Sequence, residues 1–123
     1  MQAGASERII GEVTAWPGIV AGLGSRGEFA FRLGKREIGH LHGDHVAHFM
    51  FPKDVWIELA RQRRISHHPV FPNKQGPAER RIEDDADVSE VVALLRLNYE
   101  RLGRRDGFPV VGAGASVDER RRR

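Results

Sequence analysis

Apolar residues recur along the chain in two rhythms. Near the C-terminal end, Val88, Val91, Val92, Leu95, Tyr99 and Leu102 follow helical spacing, behind the acidic start of "DDADVSEVVALLRLNYERL" and ahead of Gly103. That pattern predicts an amphipathic helix that stops at Gly103. A short helix is expected at the other end, with Ser6 as N-cap, Ile9, Ile10, Val13 and Trp16 on one face, and Pro17 as terminator. A third should follow Pro52, which suits a first helical turn, with Val55, Trp56, Leu59 and Ala60 forming its apolar stripe.

The second rhythm is strand-like. From Pro17 to Pro52, apolar runs are punctuated by Gly24-Ser25-Arg26-Gly27, Gly34-Lys35 and Gly43-Asp44. Runs broken this way predict a meander of short antiparallel strands joined by tight turns. The proline-rich segment "RISHHPVFPNKQGPAERRIED" is expected to be an extended loop followed by an edge strand around Glu79 to Ile82. Together the pattern predicts an α+β fold of two layers, an antiparallel sheet of short strands with about three helices packed on it. At 123 residues this is one domain, set at 1–103, with 104–123 expected to be a flexible Arg-rich tail.

Composition adds limits. With 40% apolar and 30% charged residues, the chain has the make-up of an ordinary globular domain. No apolar run approaches the roughly 20 residues of a membrane span, and the start "MQAGASERII" lacks the features of a secretory signal, so a cytoplasmic protein is expected. Cysteine is absent, which excludes disulfides, thiolate nucleophiles and Cys-ligated metal centres. The formal net charge is +3, and six arginines against three acidic residues from Gly103 onward account for all of it. A formally neutral folded body argues against a specific nucleic-acid reader. A weaker reading keeps the basic tail as a polyanion anchor.

The chemistry concentrates in "REIGHLHGDHVAHFMFP", which holds four of the six histidines. If residues 36 to 42 form a strand, Arg36, Ile38, His40 and His42 share one face, and Glu37, Gly39 and Leu41 the other. In the next strand Val46, His48 and Met50 oppose His45, Ala47, Phe49 and Phe51, and which face meets His40 depends on register. His67-His68-Pro69 supplies two more imidazoles from the loop, and the proline biases His68 toward an extended backbone. His-x-His on a strand presents two nitrogens to a metal, or lines a pocket with a base and a donor. A metal would draw on His40, His42 and His68 with Asp44 or Glu37. No HExxH motif or known zinc spacing is present, so the expectation is no metal. "GLGSRG" fails as a dinucleotide fingerprint and is expected to be a turn. No serine sits in a nucleophile elbow. The acidic residues of "RRIEDDAD" fit helix capping, and Trp16 and Trp56 fit the core.

The stretch "KREIGHLHGDH", followed by "HHP" and by "VVALLRLNY", resembles the luciferase-domain family, the group that includes the fungal luciferases. The likeness runs from about Phe29 to Leu102. Residue by residue, Arg36, Glu37, His40, His42, His45, His68 and Pro69 match the family's pattern, whereas His48 and His67 do not clearly match. For the fungal members the resemblance implies oxidation of a hydroxylated α-pyrone by molecular oxygen without an evident added cofactor. This chain differs in being shorter, in the N-terminal membrane-anchoring region it is expected to lack, and in its loop after His68. The resulting expectation is a pocket in which His40, His42, His45 and His68 are catalytic. Arg36, Glu37 and Lys35 would bind substrate, with Arg36 and Lys35 orienting an anionic aromatic or enol ligand and one histidine acting as base. The implied partner is a small molecule, with oxygen as co-substrate and no cofactor, nucleic acid or membrane. The rival class is a non-catalytic binding module for a small molecule or a protein.

Overall fold

Strand parity and helix periodicity build the fold almost directly. The computed structural model describes residues 4–106. The element order is α1 (Ala5–Val13), β1 (Ile19–Leu23), β2 (Phe29–Leu33), β3 (Arg36–His42), β4 (Val46–Met50), α2 (Lys53–Arg61), β5 (Ser66–His67), β6 (Pro77–Arg81) and α3 (Asp85–Asp106). The six strands form one sheet in the order β1-β2-β3-β4-β6-β5, with every neighbouring pair antiparallel. The fold is α+β, as expected.

One face of the sheet turns Phe31, Leu33, Ile38, Leu41, Ala47, Phe49 and Ala78 into the core, against Ile9 and Val13 of α1 and Val88, Val91, Leu94, Leu95 and Tyr99 of α3. Trp56 and Leu59 of α2 complete the cluster, and the Trp56 indole N–H donates to the Pro77 carbonyl at 3.0 Å. A buried indole needs such a partner, and this one ties α2 to the start of β6.

Four local expectations change. Gly4, not Ser6, occupies the N-cap of α1, while the Ser6 N–H and Oγ both donate to Asp44 Oδ1 at 2.8 and 2.7 Å. A carboxylate from the β3–β4 turn thus serves the helix start from outside its own sequence, where the helix dipole also favours an anion. Helix α1 ends at Val13, and Trp16 instead folds against Tyr99, with ring centroids 5.2 Å apart and the Arg96 guanidinium 5.0 Å from the Trp16 ring. Strand β6 is interior, because the two-residue β5 from the proline-rich segment pairs along its outer side. Helix α3 runs through Gly103 to Asp106, since Leu102 and Gly103 are buried and packing outweighs the roughly 1 kcal/mol helix penalty of glycine. The proposed tail beyond residue 106 lies outside the described residues.

Asp84 Oδ1 accepts the Asp87 N–H at 2.9 Å and Asp87 Oδ2 accepts the Glu83 N–H at 2.8 Å, so the acidic run does cap α3. Those bonds, the backbone one first and then the ion pair to Arg80, hold the Asp87 carboxyl below its ordinary pKa.

Strand β3 contains the feature that shapes the rest. Phe31 pairs with Gly39 and Arg32 with Glu37, which leaves Ile38 as an extra residue, a β-bulge. Gly39 is required there, since a Cβ would meet Leu95 Cδ2 at 2.6 Å and the His48 carbonyl at 3.1 Å. Asn98, fully buried on α3, donates to the Ile38 carbonyl and to the Met50 carbonyl, each at 3.1 Å. Its own Oδ1 accepts Arg101. One helix side chain thereby satisfies the bulge carbonyl and the end of β4.

Candidate functional site

Across the sheet's other face runs one row of paired residues. His40 pairs with His48, His48 with Glu79, and Glu79 with Ser66. Directly paired residues point to the same face with Cβ atoms about 5 Å apart, so the ladder alone brings His40, His48 and Glu79 together. His42 lies two residues along β3 and shares that face. The ring centroids are 4.9 Å apart for His40 and His42, 5.3 Å for His40 and His48, and 4.8 Å for His42 and His48. His68, delivered by the loop after β5, sets its ring 4.0 Å from that of His48. Four imidazoles meet at one place.

Carboxylates orient two of them. Glu37 Oε2 is 2.6 Å from His40 Nδ1, and Glu79 Oε1 is 3.0 Å from His48 Nε2. A carboxylate takes the ring N–H, which leaves a lone pair on His40 Nε2 and on His48 Nδ1. His48 is only 8% exposed, and its Nδ1 is buried with no hydrogen-bond partner among the described residues. His68 is arranged the opposite way. Its Nδ1 accepts the Val70 N–H at 3.1 Å, so the neutral ring carries its proton on Nε2 and is a donor.

Burial pushes the His48 pKa below its ordinary value, against the opposing bond to Glu79, and the His68, His40 and His42 charges push the same way. Burial also lowers His68, with Glu79 opposing. Both rings are therefore neutral at pH 7. Glu28 is held low by its own backbone N–H, and His40 and His42 add to this.

The cluster lines a cavity of about 860 Å³. Its lining is polar at the four histidines, Glu28, Glu37 and Glu79, and apolar at Met50, Val70, Phe71, Pro69 and Pro77. With the histidines neutral, three carboxylates against one guanidinium, that of Arg26, give the lining a formal excess of negative charge.

A family model described as Luciferase domain matches residues 35–98, more than half of the chain. The chain belongs to the luciferase-domain family. Neither curated proteins nor solved structures gave a match. In this luciferase-domain protein the matched span covers β3 through most of α3, and so contains His40, His42, His48, His68, Glu37 and Glu79.

The structure brings His40, His42, His68 and Glu37 of the expected set into the cavity and leaves the others out. Glu37 was expected opposite His40; the bulge at Ile38 inverts the alternation and puts the two, three residues apart, side by side. The same inversion takes Arg36 out of the histidine face, and it lies exposed at the start of β3 outside the lining. Lys35 sits in the β2–β3 turn, also outside. His45 belongs to the β3–β4 turn, where its carbonyl accepts the Ile82 N–H at 2.8 Å and its neighbours are Ala5, Arg8 and Asp44. It lies beside the first turn of α1 and away from the cavity, which corrects the expectation that it is one of the pocket's catalytic histidines. His67 packs against Trp56, with ring centroids 4.7 Å apart.

His48 and Glu79 are the residues that sequence reasoning undervalued. A signal for His48 existed: with His42 and Val46 closing the Gly43-Asp44-His45 turn, the hairpin register places His40 opposite His48. Glu79 carried no such signal, because a loop of undetermined path separates β6 from β4. Among the described residues, no helix is long and apolar enough to cross a membrane.

Proposed function

We propose that this protein is an enzyme that deprotonates a small hydroxylated aromatic or pyrone-like molecule in the histidine cavity and passes it to molecular oxygen. What supports the reading is the convergence of four imidazoles, two of them aligned by carboxylates, in a cavity that is also lined by Met50, Val70 and Phe71. A planar ring packs on Phe71, Val70 and Met50 while its hydroxyl meets the imidazoles. The electronegative lining favours entry of the neutral, protonated ligand, in place of the anion that Arg36 and Lys35 suggested.

His40 is the proposed base. Glu37 holds its Nδ1–H, and Nε2 takes the enol proton. The enolate carbon then donates its electron pair to dioxygen, forming a C–O bond and a peroxide anion. That anion accepts the His68 Nε2–H hydrogen bond and recovers the proton from the imidazolium. Oxygen is reduced to the peroxide level, the ring is oxidised by the same two electrons, and no further reductant is consumed.

Oxygen uptake with a panel of hydroxypyrones and hydroxylated aromatics tests this. Wild type is expected to turn over at least one member, and His40→Ala to lower kcat by about 10²–10⁴-fold. Tight ring binding without uptake would sink the catalytic reading and leave the binding module.

A further inference from the structure

We infer that His40, His42 and His48 form a binding site for one divalent first-row metal ion, with Glu37 and Glu79 as the carboxylates that orient its ligands. The inference does not rest on the proposed function: a metal on His40 Nε2 takes the lone pair that reading gives to the base, so the ion-bound form and the base form of His40 are alternative states, and metal binding stands on its own observations. Each of the three histidines offers a ring nitrogen within 4.8 Å of those of the other two. Among the described residues His48 Nδ1 is a buried lone pair without a partner, and an acceptor left bare in this way calls for a cation or a donor. His68 does not answer that need through its Nδ1, which is already engaged by Val70.

The tautomers fit a metal. Glu37 on His40 Nδ1 and Glu79 on His48 Nε2 fix the protons on the outer nitrogens and turn the other lone pairs free, the carboxylate-histidine-metal pattern that raises ligand basicity. The electronegative lining supplies long-range attraction for a cation.

Three imidazoles with no thiolate suit zinc, iron(II), cobalt(II), nickel or copper and not magnesium or calcium. Three protein ligands leave an open position, the arrangement of catalytic and not structural sites. His68, a donor whose ring lies 4.0 Å from that of His48, is placed to hydrogen-bond an oxygen bound there. Sequence spacing argued against a metal because no contiguous motif is present. A site assembled across two strands needs no such motif, and here His48 takes the place expected for His68.

Isothermal titration of the untagged, chelator-stripped full chain with zinc chloride, and the visible spectrum with cobalt(II), test the inference. One equivalent is expected to bind, with cobalt bands of a low-coordinate site. His42→Ala and His48→Ala should each abolish the one-equivalent isotherm, Glu37→Gln and Glu79→Gln should weaken it about 10–100-fold, and His45→Ala should leave it unchanged. His42 is exposed, so its loss keeps the test valid even if His48→Ala unfolds. No binding by wild type, or binding retained in His42→Ala, overturns the inference. Oxygen uptake by stripped protein that binds no metal would overturn it while sparing the proton-transfer reading. One-equivalent binding without uptake on any ring would support it and sink that reading.

Discussion

The two faces of the sheet are made from alternate residues of the same strands, yet they treat polar groups in opposite ways. On the helix-covered face, the buried polar group is Asn98, and its amide is matched on both sides, to Ile38, Met50 and Arg101. On the cavity face, His48 is buried with one nitrogen unmatched. Polarity on the first face secures the fold; on the second, a buried nitrogen without a partner is expected to cost stability, which is the trade that the proposed function would explain.

The sharpest way to break this contrast is to damage the matched group. Asn98→Leu leaves the Ile38 and Met50 carbonyls buried without donors and is expected to cost about 2–4 kcal/mol in urea unfolding. It should also disturb the cavity, because the bulge carries Glu37. Next in size, Gly39→Ala forces a Cβ against buried Leu95 and the His48 carbonyl, with an expected loss of about 1–3 kcal/mol by the same measurement.

On the cavity face the expected sign reverses. The double variant His48→Leu/Glu79→Gln removes a part-buried imidazole–carboxylate hydrogen bond together with the unmatched nitrogen, so stability should be unchanged or raised by about 1 kcal/mol. A loss above that size would mean the row is structural and would erase the contrast. Deleting the Tyr99 hydroxyl, which donates to the Pro17 carbonyl at 2.5 Å on the helix side, should cost about 1 kcal/mol as Tyr99→Phe.

The smallest effect is a pH dependence outside the cavity. Asp87 has a depressed folded-state pKa, so its contribution is fully present above the ordinary aspartate value near 4 and is lost as pH falls through the lower folded value. Urea midpoints at pH 7 and pH 3 should therefore differ less in Asp87→Asn than in wild type. An equal difference would remove Asp87 from the account.

Local signals were sufficient for much of this. The α3 stripe, the glycine-punctuated meander and the Trp56 face each depend on spacing within one element, and spacing is written in the chain. The concentration of histidines also marks the right strand pair, β3 and β4. Where the sequence misplaced residues, the cause was a contact between distant segments. The extra residue at Ile38 inverts a period of two, so Glu37 joins His40 and Arg36 leaves it. That bulge is held by Asn98, 60 residues further along. Glu79 reached His48 only because the proline-rich loop returned β6 to the side of β4.

The chain alone indicated the three helices, the meander between Pro17 and Pro52 and the apolar stripes of the helices, since those follow from periodicity and side-chain chemistry, but not β5 or the faces of Arg36 and Glu37. Folding in three dimensions decided which imidazoles meet, which carboxylates turn them and which nitrogen is left bare. Those outcomes depend on register and on one irregular residue whose support comes from another layer, and such long-range coupling has no local trace.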